Sequence, residues 1–342
     1  MKKTLFYSTG ILLGLMLLAI ASGELSNCNQ RLKKFSSVPS WVAAPNESNN
    51  EDESESDDEI LQDEYTTMRN YMAELINRDR QRHGLRPVRL HKLASQFGQE
   101  HSEEKARYEY LSHWAIDGTK PYVRWSKLGG VEHVSENVFA RVGSATLSPQ
   151  DSTLFAEAQE SLMKSSGHRA NILDPYHNAV GIGIAFDQAR KKFYLTQEFI
   201  DRYLTLEDFP RQLHRQQKIR IAGKVLHPEY GLYFCRVTYE PFSMPLSPTA
   251  LDSLSSYLDS GEQTVLSLGP WALGVNVKKG TFAFEIDFAK RATTAGYYYM
   301  VLYVKKDRDK IPYKLRPGAK RVTTADAISA TSVVFEIRDE VN

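Results

Sequence analysis

Ser165-Ser166-Gly167-His168-Arg169-Ala170-Asn171-Ile172-Leu173 decides the reading of this chain. Thr153 to Lys164, just upstream, has the make-up of a helix, and the Ser-Ser-Gly step stops it. Glycine after a helical run enters the left-handed closing turn without a steric penalty. A histidine and an arginine follow, then a second apolar turn closed by Asp174-Pro175. A histidine just past such a stop is expected on irregular backbone, where functional side chains are often presented. His168 gains weight from its company: His113 and Glu136 upstream, Glu198 downstream.

Working outward, Met68, Tyr71, Met72, Leu75 and Ile76 recur at helical spacing and predict a helix that ends at Gly84. Leu90 to Lys105 predicts a second helix, with Leu93, Ala94, Phe97 and His101 on one side, read as core. Asn77-x-x-Arg80-x-x-x-Gly84-Leu85-x-Pro87-Val88 links the two. Further on come Ser112-His113, Asp117-Gly118, Arg124 and Gly129, then Ser135-Glu136-Asn137-Val138. After the His168 stretch, Gly181-Ile182-Gly183 and Tyr194 to Phe199 read as strands.

In this order the segments resemble the CAP superfamily, also called SCP-like domains, which includes the cysteine-rich secretory proteins. Ser135-Glu136-Asn137-Val138 resembles the family's Gly-Glu-Asn-Ile signature, and Ser165 to Leu173 resembles the Ser-Pro-Gly-His-Arg-x-Asn-Ile-Leu motif of bacterial members. The resemblance implies an α-β-α sandwich whose cleft holds two histidines and two glutamates. It carries the histidines to His113 and His168 and the first glutamate to Glu136. The second family glutamate lies three residues after a tryptophan; those positions here are Leu162 and Ser165, so a hydroxyl replaces the carboxylate. Glu157 and Glu160, earlier on that helix, and Glu198, on the closing strand, remain candidates for the cleft.

Chemically, His113 and His168 as neutral imidazoles can share one divalent metal such as zinc, with water completing the shell. Two protein ligands fall short of the three usual at a catalytic zinc, so modest affinity is expected. Turnover would need Glu136 as base and a metal as Lewis acid. The same residues can equally form a hydrogen-bonded cluster that ties loops to the sandwich. No strained elbow surrounds Ser112 or Ser166, which argues against a serine nucleophile. Tyr108, Tyr110, Trp114 and Trp125 are either cleft walls or core.

The flanks set the context. Met1-Lys2-Lys3 and the apolar run from Phe6 to Ala21 read as an export signal, too short in its strongest part to span a bilayer comfortably, with a transmembrane anchor as the competing reading. Cleavage is expected either after Ala21 or at Leu25-Ser26-Asn27-Cys28, which resembles a loose bacterial lipobox. In the second case Cys28 would be acylated and would anchor the protein to a membrane. Ten acidic residues between Glu47 and Glu64 make residues 29–64 an extended tether. The formal net charge of +1 gives no electrostatic case for nucleic acid. Two cysteines, Cys28 and Cys235, exclude a disulfide framework or a zinc ribbon.

Beyond residues 65–203, residues 204–217 read as a polar connector and 218–342 as a separate all-β, sandwich-like domain. Its expected strands are Lys218 to Leu226, Leu232 to Tyr239, Val265 to Leu268, Ala272 to Val277, Phe282 to Phe288, Tyr297 to Lys305 and Ser332 to Arg338. Cys235 is expected to be a small buried hydrophobe. Alternating faces along Tyr297-Tyr298-Tyr299 predict at least one tyrosine at the surface, available to a carbohydrate or partner. The expectation is an α+β protein of the bacterial cell envelope, lipid-anchored or secreted, whose cleft binds a metal, lipid or peptide. The alternative is a metal-assisted hydrolase of peptide or cell-wall material. The missing carboxylate at Ser165 favours binding.

Overall fold

A computed structural model describes residues 61–143, 147–254, 256–257, 261, 263–314, 324 and 326–339. The expected export signal, Cys28 and most of the expected tether lie outside the described residues. Among the described residues, no helix is long and apolar enough to cross a membrane.

The first region has three layers. Its central sheet runs in the order β1 (Arg89–Leu90), β3 (Ala179–Asp187), β4 (Lys192–Asp201), β2 (His133–Val142). β3, β4 and β2 are antiparallel neighbours, and β1 joins β3 in parallel. Strand parity sorts the side chains. Ile182, Ile184, Leu195 and Phe199 form a core with α1 (Thr66–Arg82) and α4 (Ser152–Lys164). The other face takes α2 (Lys92–Tyr108), and Ala94 and Phe97 meet Ile200 there. α2 lies so close that a Cβ on Gly181 or Gly183 would fall 2.0 Å from the Ala94 carbonyl carbon or 1.9 Å from the Gly98 oxygen. That contact explains Gly181-Ile182-Gly183: only hydrogen fits between strand and helix.

The opening motif acts at a distance. Asn77 closes a loop by bonding both backbone groups of Val88. Arg80 is fully buried and donates to the carbonyls of Arg86, Ile172, Asp174 and His177. A guanidinium with donors fanned in one plane suits a cluster of carbonyls at a chain turn. Gly84, at φ +71°, makes the left-handed turn after α1.

The His168 stretch differs from expectation. Ser165 ends α4, and a seven-residue helix, α5 (Ser166–Ile172), starts immediately. His168 therefore sits on a helical turn, and irregular backbone is not what presents it. The Ser-Ser-Gly step is a corner between helices, and Ser165 closes one and opens the other with extended dihedrals.

After β4, residues 204–217 are more than a connector. They supply β5 (Leu204–Leu206) and β6 (Gln212–His214). β5 joins β7 (Lys218–Val225) and β10 (Thr281–Asp287) in one sheet. β6 joins a second sheet in the order β6, β13 (Val333–Arg338), β11 (Gly296–Lys306), β8 (Tyr230–Glu240), β9 (Gln263–Leu268), with β12 (Ile328–Ser329) beside β11. Both sheets contribute to one core that includes Ile221, Phe284, Met300 and Phe335, so the region is a sandwich. Cys235 is fully buried within it. Ala272 to Val277 is not a strand: Pro270–Ala272 forms a 3-10 turn, and Gly274, at φ +55°, takes a left-handed bend.

The tyrosine expectation is overturned. Tyr297, Tyr298 and Tyr299 are all buried. Tyr298 enters the sandwich core, while Tyr297 and Tyr299 pack on Tyr122 and Val123 of α3 (Pro121–Lys127) in the first region. Both faces of β11 are thus covered, one by the opposing sheet and one by the preceding region. Tyr122 stacks on Tyr299 with centroids 4.2 Å apart and donates a hydrogen bond to Glu240 at 2.8 Å. Arg211 donates to the carbonyls of Ser126, Gly129 and Gly130.

Candidate functional site

β2 is an outer strand of its sheet, so groups from both faces can meet over its edge. Glu136, on the α2 side of β2, is the hub. Its Oε1 accepts from His113 Nδ1 at 2.8 Å and its Oε2 from His101 Nδ1 at 2.7 Å. Arg124 Nη2 lies 3.5 Å from Oε2 and donates to the His113 carbonyl at 2.9 Å. Burial alone would raise the Glu136 carboxyl. The histidines and the Arg124 charge override it and hold the group well below the usual carboxylate range.

Behind Glu136 lies a sealed polar cluster. Glu198 is its register partner on β4 and is fully buried, as is Lys105. Lys105 Nζ donates to Thr196 Oγ1 at 2.7 Å, and Ser102 shares that hydroxyl. Among the described residues, neither Glu198 oxygen nor His101 Nε2 has a hydrogen-bond partner. Burial, then the Glu136 charge, pushes Glu198 well above the usual range, which favours its protonated form. Burial lowers His101 to about 3, so its ring is neutral, and lowers Lys105 to about 8. Glu198 therefore lies in the interior and not on an open cleft wall.

The His168 side is organised by amides. Asn137 Nδ2 donates to the His168 carbonyl at 3.2 Å and to Gln197 at 3.1 Å. Asn171 Nδ2 donates to Asn137 Oδ1 at 3.0 Å. His168 is half-buried; burial and the charge of neighbouring His113 lower its pKa, which keeps a lone pair available. His113 is thus hydrogen-bonded to Glu136, and His168 lies within electrostatic reach of His113. Ser165 stands at the helix corner, where its side chain makes no capping bond. Glu157 and Glu160 face solvent, paired with Arg141 and Lys164. Tyr110 and Trp125 are buried, while Tyr108 is exposed.

Sequence reasoning missed His101, Lys105 and His177. His101 and Lys105 continue the α2 stripe of Phe97 at four-residue steps, and polar residues on an apolar stripe signal a buried network. His177 Nδ1 lies 2.6 Å from Asp201, and its Nε2 lies 3.0 Å from Asn171 Oδ1 and 3.4 Å from Ser135 Oγ. Serine, histidine and aspartate thus stand in line, but the arrangement cannot activate the serine. Asn171 Oδ1 faces Nε2 and accepts the Ser135 proton at 2.7 Å. The Asn137 contacts fix that amide's orientation.

Residues 73–199 match the family described as CAP, cysteine-rich secretory protein family. That region is a CAP domain. The chain shows 22% identity to an extracellular SCP-domain protein of Bacillus anthracis, covering 42% of this chain and 45% of that one, with a TM-score of 0.33. An outer surface protein of Borrelia burgdorferi is 13% identical, with 42% of this chain and 96% of that one covered and a TM-score of 0.34. Cilia- and flagella-associated protein 184 of Tetrahymena thermophila is 22% identical over 272 residues, which is 79% of this chain and 30% of that protein. The chain spans under a third of that relative's length. A match of that extent reaches beyond the CAP domain into the β-rich region.

His101, Glu136 and Glu198 present ligand atoms within 4.8 Å of one another and on distance alone could hold a metal. Charge argues against it. Lys105 and Arg124 already stand as two cations beside Glu136 and a Glu198 whose burial favours the protonated form, and a buried divalent ion would add charge that nothing offsets. The His113 ring is set differently. His113 gives Nδ1 to Glu136, which fixes its tautomer and leaves Nε2 for a metal, the arrangement in which a carboxylate supports a histidine ligand. An open groove of about 570 Å³ lined by Glu100, Glu103, Glu104 and Tyr108 includes none of these groups.

Proposed function

We propose that the protein is an exported binding module of the cell envelope whose CAP cleft takes a divalent transition metal, zinc by donor type, on His113 and His168. The observation that carries this reading is the engagement of both Glu136 oxygens by two histidines. A general base needs a free oxygen within reach of a water or substrate proton. Glu136 instead orients His113, and Ser165 offers no second carboxylate. When bound, the metal supplies a Lewis-acidic centre for a ligand's oxygen or nitrogen donor. His113 and His168 hold it, Glu136 keeps the His113 proton on Nδ1, and Asn137 holds the turn that carries His168.

Export rests on the leader-like Met1 to Ala21, and attachment rests on Cys28 as an acylation site, with residues 29–64 as the spacer. X-ray absorption of the zinc-loaded protein tests the site. Two imidazole nitrogens at ~2.0–2.1 Å with oxygen from water support it. A shell with one imidazole and two carboxylates would place the ion at His101, Glu136 and Glu198 and contradict the assignment.

A further inference from the structure

The loop that carries His113 does not stand on the CAP domain alone. A strap from the β-rich region, residues 244–254 with 256 and 257, runs along it. Leu246 N donates to the Ile116 carbonyl at 2.9 Å. Leu111 N donates to Asp252 Oδ1 at 2.8 Å, at the end of the short helix α6 (Pro248–Asp252). Ser112 Oγ donates to the Leu254 carbonyl at 3.1 Å, and Trp114 Nε1 to that of Ser256 at 3.5 Å. The strap then sets Tyr257 edge-on to the His113 ring, with centroids 5.4 Å apart and planes at 64°. Tyr257 also reaches Tyr122, the residue that stacks on Tyr299.

His113 thus has a fixed bond on one nitrogen and an aromatic neighbour beside its ring. Its Nδ1–H···Glu136 bond holds one end, but the ring can still turn about its side-chain torsions. A T-shaped contact penalises that rotation, because tilting the imidazole drives it into the tyrosine or opens a gap. From this geometry we infer that Tyr257 is a positioning residue for His113. The CAP cleft is therefore completed by the β-rich region, and residues 73–199 hold only part of it. The inference deepens the metal-binding reading and rests on it for the ligand, while the effect on the His113 ring stands without any metal.

The test uses the full chain with Tyr257→Ala, Tyr257→Leu and Tyr257→Phe, each checked for native circular dichroism. Two readouts are taken: zinc affinity, and the rate of diethylpyrocarbonate modification of His113 followed by peptide mass mapping without metal. Loss of the ring in the Ala and Leu variants raises the His113 modification rate, and zinc affinity falls about tenfold, as for other groups that orient a metal-bound histidine. The Phe variant matches the parent on both counts. If the parent takes up no zinc yet the Ala and Leu variants expose His113, the positioning role stands and the metal reading falls. Unchanged modification in the Ala and Leu variants, or a Phe variant that behaves like Ala, overturns the inference.

Discussion

Glu136 and Glu198 are register partners on β2 and β4, and the structure gives them opposite electrostatic settings. Glu136 is ringed by His101, His113 and Arg124, whereas Glu198 is fully buried beside the Glu136 charge. Two carboxylates this close share a proton more readily than they carry two charges.

A pH dependence follows. A carboxyl raised in the folded state binds a proton that the unfolded chain has released, so stability falls as pH rises from the unfolded value of about 4.3 towards the folded one. Glu198→Gln removes the ionisation and keeps the shape. Urea unfolding across about pH 5 to 8 should show a flatter profile for the variant and a gain of about 1–3 kcal/mol at the alkaline end. Parallel profiles for variant and parent would refute this.

His101 acts in the opposite sense. Its folded value of about 3 lies below the ordinary histidine value of 6.5, so its contribution is complete above the unfolded value and is lost as pH falls from 6.5 through 3. His101→Ala should cost about 1–3 kcal/mol at neutral pH by stripping Glu136 of a buried donor. It should also weaken the acid sensitivity of the fold. Acid titration by tryptophan fluorescence measures both, and an unchanged acid midpoint would count against the neutral buried ring.

Arg80 supports the His168 turn from the far side of the CAP domain. Arg80→Lys keeps the charge but leaves most of four carbonyls without donors. A loss of about 3 kcal/mol or more is expected, together with faster proteolysis near residues 165–178. A lysine variant as stable as the parent would show that those carbonyls do not need the fork.

The contact between the two regions should make their unfolding cooperative. Tyr299→Ala removes the ring stacked on Tyr122 and leaves a cavity, at a cost of about 3–5 kcal/mol. Differential scanning calorimetry of a chain lacking residues 1–60 should show one transition in both parent and variant, shifted down in the variant. Two resolved transitions in the parent would mean that the regions unfold independently.

Much of this fold was legible because helix stripes and strand alternation leave a periodic trace. Met72, Ile76 and Phe97 read as core and are core. His113 and Glu136 read as neighbours and are hydrogen-bonded, and His168 lies within electrostatic reach of His113. What stayed hidden depends on partners far away in sequence. Alternation along Tyr297 to Tyr299 shows two faces, but it cannot show that α3 covers the second. His101 looked apolar in role because a buried polar network uses the same helical spacing as a core. The corner at Ser165 looked like a loop because a stop signal does not show that a new helix begins at the next residue.

The central claim is that His113 and His168 together bind one metal ion. Zinc titration calorimetry on the parent, His113→Ala and His168→Ala, each with native circular dichroism, tests it most directly. The account predicts one zinc per parent chain and a loss of at least about tenfold in affinity in either variant. Equal zinc binding by the parent and both variants would contradict it.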